Sequence, residues 1–482
     1  MPKIKRLVLG LIPNQECNLK CEYCYISQVK AWNKPEKFQY PIEHIVKCLS
    51  VKRLGGISLI NLTGNGETML PVEIVDLIGG LLKEGHFVEV VTNGTITKNI
   101  NEVLKLPKEL LSRLEFKISF HYKELKRLNM IDRFFCNVKA IHSAGAAFTL
   151  EIMAYDAIED NIEEIKELCI KNVGAICHAT IGRNDQRKDK ALLSGHSNDE
   201  FRQIWKPLNS PMLDFKLDVI GIKRREFCYA GSWSLFINMH TGESQPCYWQ
   251  PYNQNVFENI NKPISFIPVG YTCTQPYCTN AHSHMTWGII PELKTPNYCE
   301  MRNRVCENGE EWLTSECKEF FCSKLSESNK EYTSLEKILH TCVYPIRLLK
   351  QYKKNKKLFT KKLILGDIMS DKKYMLLITD MMIFVIGTVM TKVIQFLLMP
   401  LYTTYMSTEA YGIAELTNNM SELFFPIITL CIYEATFRFV IESKFSKEEI
   451  LTASIKILFI SFLISFIVLI IINSFFSYKY VL

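Results

Sequence analysis

The sequence predicts an α/β protein. Its core is an open, partial barrel of strand–helix repeats, followed by a small cysteine-rich extension and an all-α transmembrane segment at the C-terminal end. Three observations predict it. Short apolar, β-branched runs alternate with amphipathic stretches over the first part of the chain. Among the 17 cysteines, a tight triplet lies near the start and a second field begins at Cys228. Beyond the lysine-rich block "KQYKKNKKLFTKK" at residues 350–362 the composition turns mostly apolar.

The strands are expected at Leu7–Ile12, Ile57–Leu62, Val88–Thr92, Glu115–Phe120, Phe148–Met153 and Ile176–Ile181. Helical patterns lie between them near Ile42–Leu54, Val72–Lys83, Glu124–Ser143 and Asn161–Lys171. Strand and helix in alternation argue for a parallel sheet with crossover helices. Six such repeats are too few to close an eight-stranded barrel, so an open (β/α)6 arrangement is expected. In such sheets the chemistry sits at the C-terminal ends of the strands. Four polar motifs fall there: a cysteine triplet after the first strand, "TGNGET" after the second, "TNGT" after the third and His121 after the fourth.

The net charge of +7 owes much to the lysine block and is not a nucleic-acid signal. The start "MPKIKRLVLGLIPNQEC" has an apolar stretch too short for a signal peptide. A cytosolic N-terminal region keeps thiols reduced, which favours metal or cluster ligands over disulfides.

The triplet "CNLKCEYC" offers Cys17, Cys21 and Cys24. Tetrahedral structural zinc needs four ligands, and a zinc site completed by a distant residue is the competing reading. Three thiolates suit a [4Fe–4S] cluster whose fourth iron is left open for an external ligand.

With Tyr23, these cysteines match C-x3-C-x-aromatic-C, and residues 5–185 resemble the radical SAM enzymes. The resemblance implies a partial (β/α)6 TIM barrel. It also implies that S-adenosylmethionine chelates the open iron through its amino and carboxylate groups. One electron then cleaves the sulfonium, giving methionine and a 5′-deoxyadenosyl radical that takes hydrogen from a substrate. Gly64 and Gly66 are expected to let backbone approach the ligand closely, and Glu67 to pair with its ammonium. The family usually has G-G-E-P here, so Asn65 and Thr68 are departures. Tyr23 would lie against the adenine. Thr92 and Asn93 resemble strand-end residues that contact the ligand, and Ser119 and His121 would reach its ribose or carboxylate. Alone, G-x-G-E or T-N-G marks a turn, and His121 alone is as well read as structural. No catalytic residue is assigned beyond the cluster.

Downstream, "CYAGSWSLFINMHTGESQPC" sets Cys228 and Cys247 around a hairpin whose turn is expected at His240–Glu243. This spacing resembles the opening of the SPASM/twitch extension, which binds auxiliary Fe–S clusters. Cys273 and Cys278 of "CTQPYCTNAHSH" would complete a four-cysteine auxiliary cluster with Cys228 and Cys247. The family's denser cysteine run is missing here. Zinc is the alternative, since four cysteines with His282 and His284 also suit it. Cys299, Cys306, Cys317 and Cys322 read equally well as small buried hydrophobes. "YCEMRNRV" at Tyr298–Val305 carries no assignable chemistry.

Near the end, "ILFISFLISFIVLIII" at Ile457–Ile472 sums to about −6 kcal/mol on an insertion scale and, with flanking residues, approaches the length of a span. Leu376–Pro400 and Leu423–Ile441 are weaker candidates because Asp380, Lys392, Glu434 and Arg438 interrupt them. "FLLMPLYTTYMSTEAYGIAEL" and "LCIYEATFRFVIE" resemble the first helices of polysaccharide flippases of the MOP superfamily over residues 375–480. Three helices cannot make a complete flippase, so a truncated fusion or a membrane anchor is expected. The positive-inside rule keeps the lysine block and the enzyme part cytoplasmic, on a multi-pass plasma-membrane protein.

The expected organisation is a partial barrel at 1–190, an auxiliary-cluster extension at 191–345, a basic linker at 346–374 and three transmembrane helices at 375–482. The expected function is reductive cleavage of S-adenosylmethionine to start radical modification of a peptide or of a glycan-related, cell-surface substrate. A reductant such as a flavodoxin or ferredoxin would be its partner, along with the membrane. The alternative is a membrane transport component with a vestigial or regulatory radical SAM domain.

Overall fold

In the computed structural model, residues 2–32, 36–341, 397–398, 400, 404–429, 431–432, 435–436 and 447–476 are described. Contacts divide the chain into two compact units, Met1–Ser370 and Asp371–Leu482.

The first unit is built on a nine-stranded sheet of order β6-β5-β4-β3-β2-β1-β7-β8-β9. Its strands are β1 Arg6–Ile12, β2 Ser58–Gly64, β3 Phe87–Thr92, β4 Leu114–Ser119, β5 Ala147–Ala154, β6 His178–Ile181, β7 Ser234–Asn238, β8 Glu243–Gln245 and β9 Gln254–Asn255. Strands β1 to β6 pair in parallel in chain order, as the strand–helix alternation requires. The crossovers use α1 Ile42–Cys48, α2 Glu73–Glu84, α3 Thr97–Val103, α4 Ile131–Ser143 and α5 Ile162–Val173. In α2 the buried Ile74, Leu77, Ile78, Leu81 and Leu82 follow the i, i+3, i+4 rhythm, and Gly85 ends the helix in the left-handed region at φ 108°.

Two expected helices are broken. The pattern at 42–54 divides after Cys48, and the one at 124–143 divides around Asn129, whose φ of 53° no helix accepts. The hairpin is present as antiparallel β7 and β8, but β7 also pairs in parallel with β1. The cysteine-rich extension thus continues the barrel's own sheet.

Alternation divides the strand residues between two cores. Val8, Ile60, Val88, Phe116 and Leu150 pack into the core that includes the crossover helices. Leu7, Leu9, Leu59, Phe87 and Ala147 form the other with Trp287, Tyr298, Phe320 and Phe321. These aromatics come from α7 Tyr298–Arg302, α8 Ser315–Cys322 and the turn before them; α6 Pro211–Val219 lies between β6 and β7 in the chain. Phe87 stacks on Phe320 with ring centroids 3.8 Å apart. The same inward-facing set includes Asn61, Glu89, Glu115, Lys117 and Glu151, all buried within otherwise apolar strands.

In the second unit, α9 Thr408–Ile428 and α10 Lys447–Phe476 are described. Within α10, Glu448–Val468 is long and apolar enough to cross a membrane, with a mean hydropathy of 2.3. No other helix among the described residues meets that test. Helix α9 carries Glu409, Glu415 and Glu422 and ends at Ile428, so Leu423–Ile441 is not one continuous span. The Leu376–Pro400 span and the lysine block lie, but for three residues, outside the described residues. Of the three expected spans, one helix is long and apolar enough among the described residues.

Candidate active site

The loop after β1 is held by its neighbours rather than by its own secondary structure. Asn14 Nδ2 donates to the Glu67 carbonyl at 2.8 Å, and the Glu67 amide donates to the Glu16 carbonyl at 2.7 Å. Asn18 Nδ2 donates to Thr95 Oγ1 at 2.8 Å. Asn93 Nδ2 donates to Asn18 Oδ1 at 2.8 Å and to Cys17 Sγ at 3.6 Å, while the Leu19 amide donates to the same sulfur at 3.4 Å. Cys21 is buried, with Cys17 and Cys24 half-buried. Burial pushes the thiols up, to about 11 for Cys17 and about 12 for Cys21, so metal binding must displace their protons.

Packing within the protein itself also requires glycine at position 66. A Cβ on Gly66, whose φ is 129°, would stand 2.1 Å from the Glu16 carbonyl oxygen. One on Gly64 would stand 3.1 Å from Thr68 Oγ1. The close approach that needs glycine is between the two loops. Glu67 is likewise engaged within the protein. It is 2% exposed, and its carboxylate accepts from the Met69 amide at 2.9 Å, Thr92 Oγ1 at 2.5 Å and the Asn93 amide at 2.8 Å. Burial raises its pKa, and these three bonds act against that rise. These bonds fasten the loop after β2 to the end of β3, and Glu67 also lines the cavity around Tyr23 and His121.

Tyr23 Oη and His121 Nδ1 are 2.6 Å apart, and Tyr23 also packs on Tyr155 with centroids 4.8 Å apart. Burial pushes His121 down to about 4, so its imidazole is neutral near pH 7. Tyr23, Gly64, Gly66, Glu67, Thr92, Asn93, Ser119 and His121 all line one cavity of about 420 Å³ with Cys17, Cys21 and Cys24. Lys117, Glu151, Thr180, Arg183 and Lys216 line it as well, and the strand and helix patterns alone had not singled them out. For Lys117 and Glu151 a signal was present: charges inside β4 and β5, where a buried parallel sheet should be apolar.

The second cysteine field closes on itself. Cys228, Cys247, Cys273 and Cys278, from separate stretches of chain, line a smaller cavity of about 50 Å³. Cys228 and Gly270 exchange backbone hydrogen bonds at 3.1 and 2.9 Å, which clamps the two ends. Burial raises Cys228 well above its usual value, and the neighbouring Cys247, Cys278 and Cys273 add to the rise. Burial likewise pushes Cys247 to about 11 and Cys278 to about 12. A zinc ion with bonds of about 2.3 Å needs sulfurs about 3.8 Å apart. Among the described residues, no three of the seven cysteines bring ligand atoms all within 4.8 Å of one another. As donors, the four thiolates suit zinc and an iron–sulfur cluster alike. The two histidines separate: His284 lines the small cavity and His282 the large one. Of the remaining cysteines, Cys299, Cys306 and Cys317 are buried and Cys322 is exposed. The donor sets therefore fit three-thiolate and four-thiolate clusters.

Residues 11–192 match the radical SAM superfamily. These residues are a radical SAM domain. The family implies a [4Fe–4S] cluster and S-adenosylmethionine. Among solved structures, Streptococcus suis SuiB bound to S-adenosylmethionine is 15% identical, with 54% of this chain and 67% of that chain covered and a TM-score of 0.40. SuiB bound to its precursor peptide SuiA is also 15% identical, with 63% and 70% covered and a TM-score of 0.40. Native anSMEcpe with bound AdoMet is 14% identical, with 73% and 100% covered and a TM-score of 0.38. No curated protein matches the chain.

Proposed function

We propose that this chain is a radical SAM enzyme with an auxiliary cluster, tethered to a membrane through α10. Cys17, Cys21 and Cys24 would hold the [4Fe–4S] cluster, and Cys228, Cys247, Cys273 and Cys278 a second one. Bound to S-adenosylmethionine, the first cluster supplies the electron that opens the sulfonium and starts radical chemistry on the substrate. The chain's own residues prepare that step. Asn93 and the Leu19 amide direct N–H groups at the Cys17 sulfur, which favours its thiolate and tunes the potential of whatever it binds. Glu67 fastens the ligand-side loop, and the Tyr23–His121 bond fixes the aromatic wall on which an adenine can stack. The substrate is a peptide or a glycan-related molecule of the cell surface, and the electron donor a flavodoxin or ferredoxin.

One observation carries this reading. The three cysteines and all eight residues expected to contact S-adenosylmethionine, from loops and strand ends far apart in sequence, line one cavity. The full chain, purified in detergent and reconstituted without oxygen, is expected to form 5′-deoxyadenosine from S-adenosylmethionine after reduction by dithionite. Cys17→Ala, Cys21→Ala and Cys24→Ala together should abolish it. Product formation by the triple variant, or none by the wild type, overturns the proposal.

The alternative, a membrane component with a regulatory radical SAM domain and a flippase-like tail, is supported by the span within α10 alone. It predicts no reductive cleavage in the same assay.

A further inference from the structure

The wall of the large cavity contributed by β4, β6, α6 and the segment after β6 is cationic, and its charges are poorly matched. Lys117 reaches Glu151 at 3.6 Å, but Arg302, wholly buried on α7, forms an ion pair with the same carboxylate. Asp185, also on this cavity, is held by Lys190 at 3.4 Å. That leaves Lys216 and Arg183. Lys216 Nζ donates to the hydroxyl of Thr180, and Arg183 Nη1 to the Thr279 carbonyl at 2.8 Å. Neither forms an ion pair among the described residues. Both are half-buried in the cavity wall, and a cation drawn partly out of water is stabilised by an anionic partner. Burial and the nearby Lys117 and Arg183 hold Lys216 well below the usual lysine range, and nothing around it acts in the other direction. His282, on the same cavity, is lowered by burial and then by Lys216, Lys117 and Arg183, so the basic groups converge on one place.

We propose that Lys216 and Arg183 form a binding site for an anionic group of the substrate, a carboxylate or a phosphate, within the same cavity as the cysteine triplet. An anion there would supply the missing partner and accept from the ammonium and the guanidinium fork. Lys216 comes from α6 and Arg183 from the loop after β6, whereas the residues expected to contact S-adenosylmethionine come from the loops and ends of β1 to β4. Assigning the anion to the substrate rests on the radical SAM reading; binding of an anion does not.

The test is calorimetric titration of inorganic phosphate and, separately, acetate into the full chain in low-chloride detergent buffer, reconstituted without oxygen. At least one probe should bind with a Kd below about 10 mM. Lys216→Met and Arg183→Gln should each weaken it by about tenfold or more, and Lys216→Arg should restore it. Binding should persist with S-adenosylmethionine present. Tighter phosphate binding identifies a phosphorylated substrate, and tighter acetate binding a carboxylate. No saturable binding, or equal binding by the two weakening variants (an adventitious ion only), overturns the inference. So does loss of anion binding on adding S-adenosylmethionine, because the cations then serve that ligand's own carboxylate. Wild-type 5′-deoxyadenosine formation, measured in parallel, separates this result from failure of the radical SAM reading.

Discussion

Thr92 Oγ1 donates to Glu67 Oε1 at 2.5 Å, joining the end of β3 to the loop after β2. With the Met69 and Asn93 amides on the same carboxylate, Glu67 gathers three donors in a buried place. Glu67→Ala would leave all three without their acceptor, at a cost of about 3 kcal/mol or more. Glu67→Gln keeps one acceptor oxygen and should cost about half as much. Urea unfolding of the two variants checks the order, and a Glu67→Ala protein as stable as wild type contradicts the role.

Gly66 is held to glycine by the Glu16 carbonyl, 2.1 Å from where a Cβ would stand, and by its φ of 129°. Gly66→Ala should displace the cysteine loop and reduce the iron retained after reconstitution. Gly145→Ala meets no atom within 4 Å despite a φ of 86°. That variant should keep its iron while losing only about 1 kcal/mol of stability. Iron and sulfide analysis decides between them, and equal retention would refute the loop-contact account.

The four-cysteine cavity makes a stoichiometric prediction. Joint Cys228→Ala and Cys247→Ala substitution should remove about four irons per chain, the content of one cube, and leave the set bound by Cys17, Cys21 and Cys24. Loss of a single zinc instead would favour the mononuclear alternative.

His178 is buried, and Nε2 bonds to the Arg302 carbonyl at 3.0 Å. Burial and the nearby Arg304 push it down to about 3. Its folded pKa lies below the unfolded value of about 6.5, so the unfolded chain binds the extra proton as pH falls. The stability contributed by the neutral ring is complete above about pH 6.5 and is lost below it, at up to about 1.4 kcal/mol per pH unit. Urea midpoints of the metal-free protein at about pH 6.5 and 5 should differ less for His178→Gln than for wild type. An unchanged slope refutes the assignment.

The barrel was legible because its strands are apolar runs separated by helical rhythms, and register followed from parallel pairing alone. The cysteine rim was legible because the motifs follow strands. The loop contacts of Gly66 and Glu67 were not, since the residues they meet, Glu16, Thr92 and Asn93, lie far off in the chain. The pairing of β7 with β1 was also hidden, because nothing local in "SLFIN" names a partner more than 200 residues away. Lys216 and Arg302 stayed silent in sequence for the same reason: each acquires meaning from a carboxylate, or the lack of one, that only the fold brings near. The tail left least to compare, because one of its three expected spans lies almost wholly, and another partly, outside the described residues.

The most direct measurement is electron paramagnetic resonance of the reduced Cys228→Ala, Cys247→Ala protein, with and without S-adenosylmethionine. A reduced [4Fe–4S] signal whose shape changes when the sulfonium compound is added is the expected result, and it should vanish with Cys17→Ala. Absence of any such signal, or one indifferent to S-adenosylmethionine, would contradict a three-cysteine cluster with an open iron.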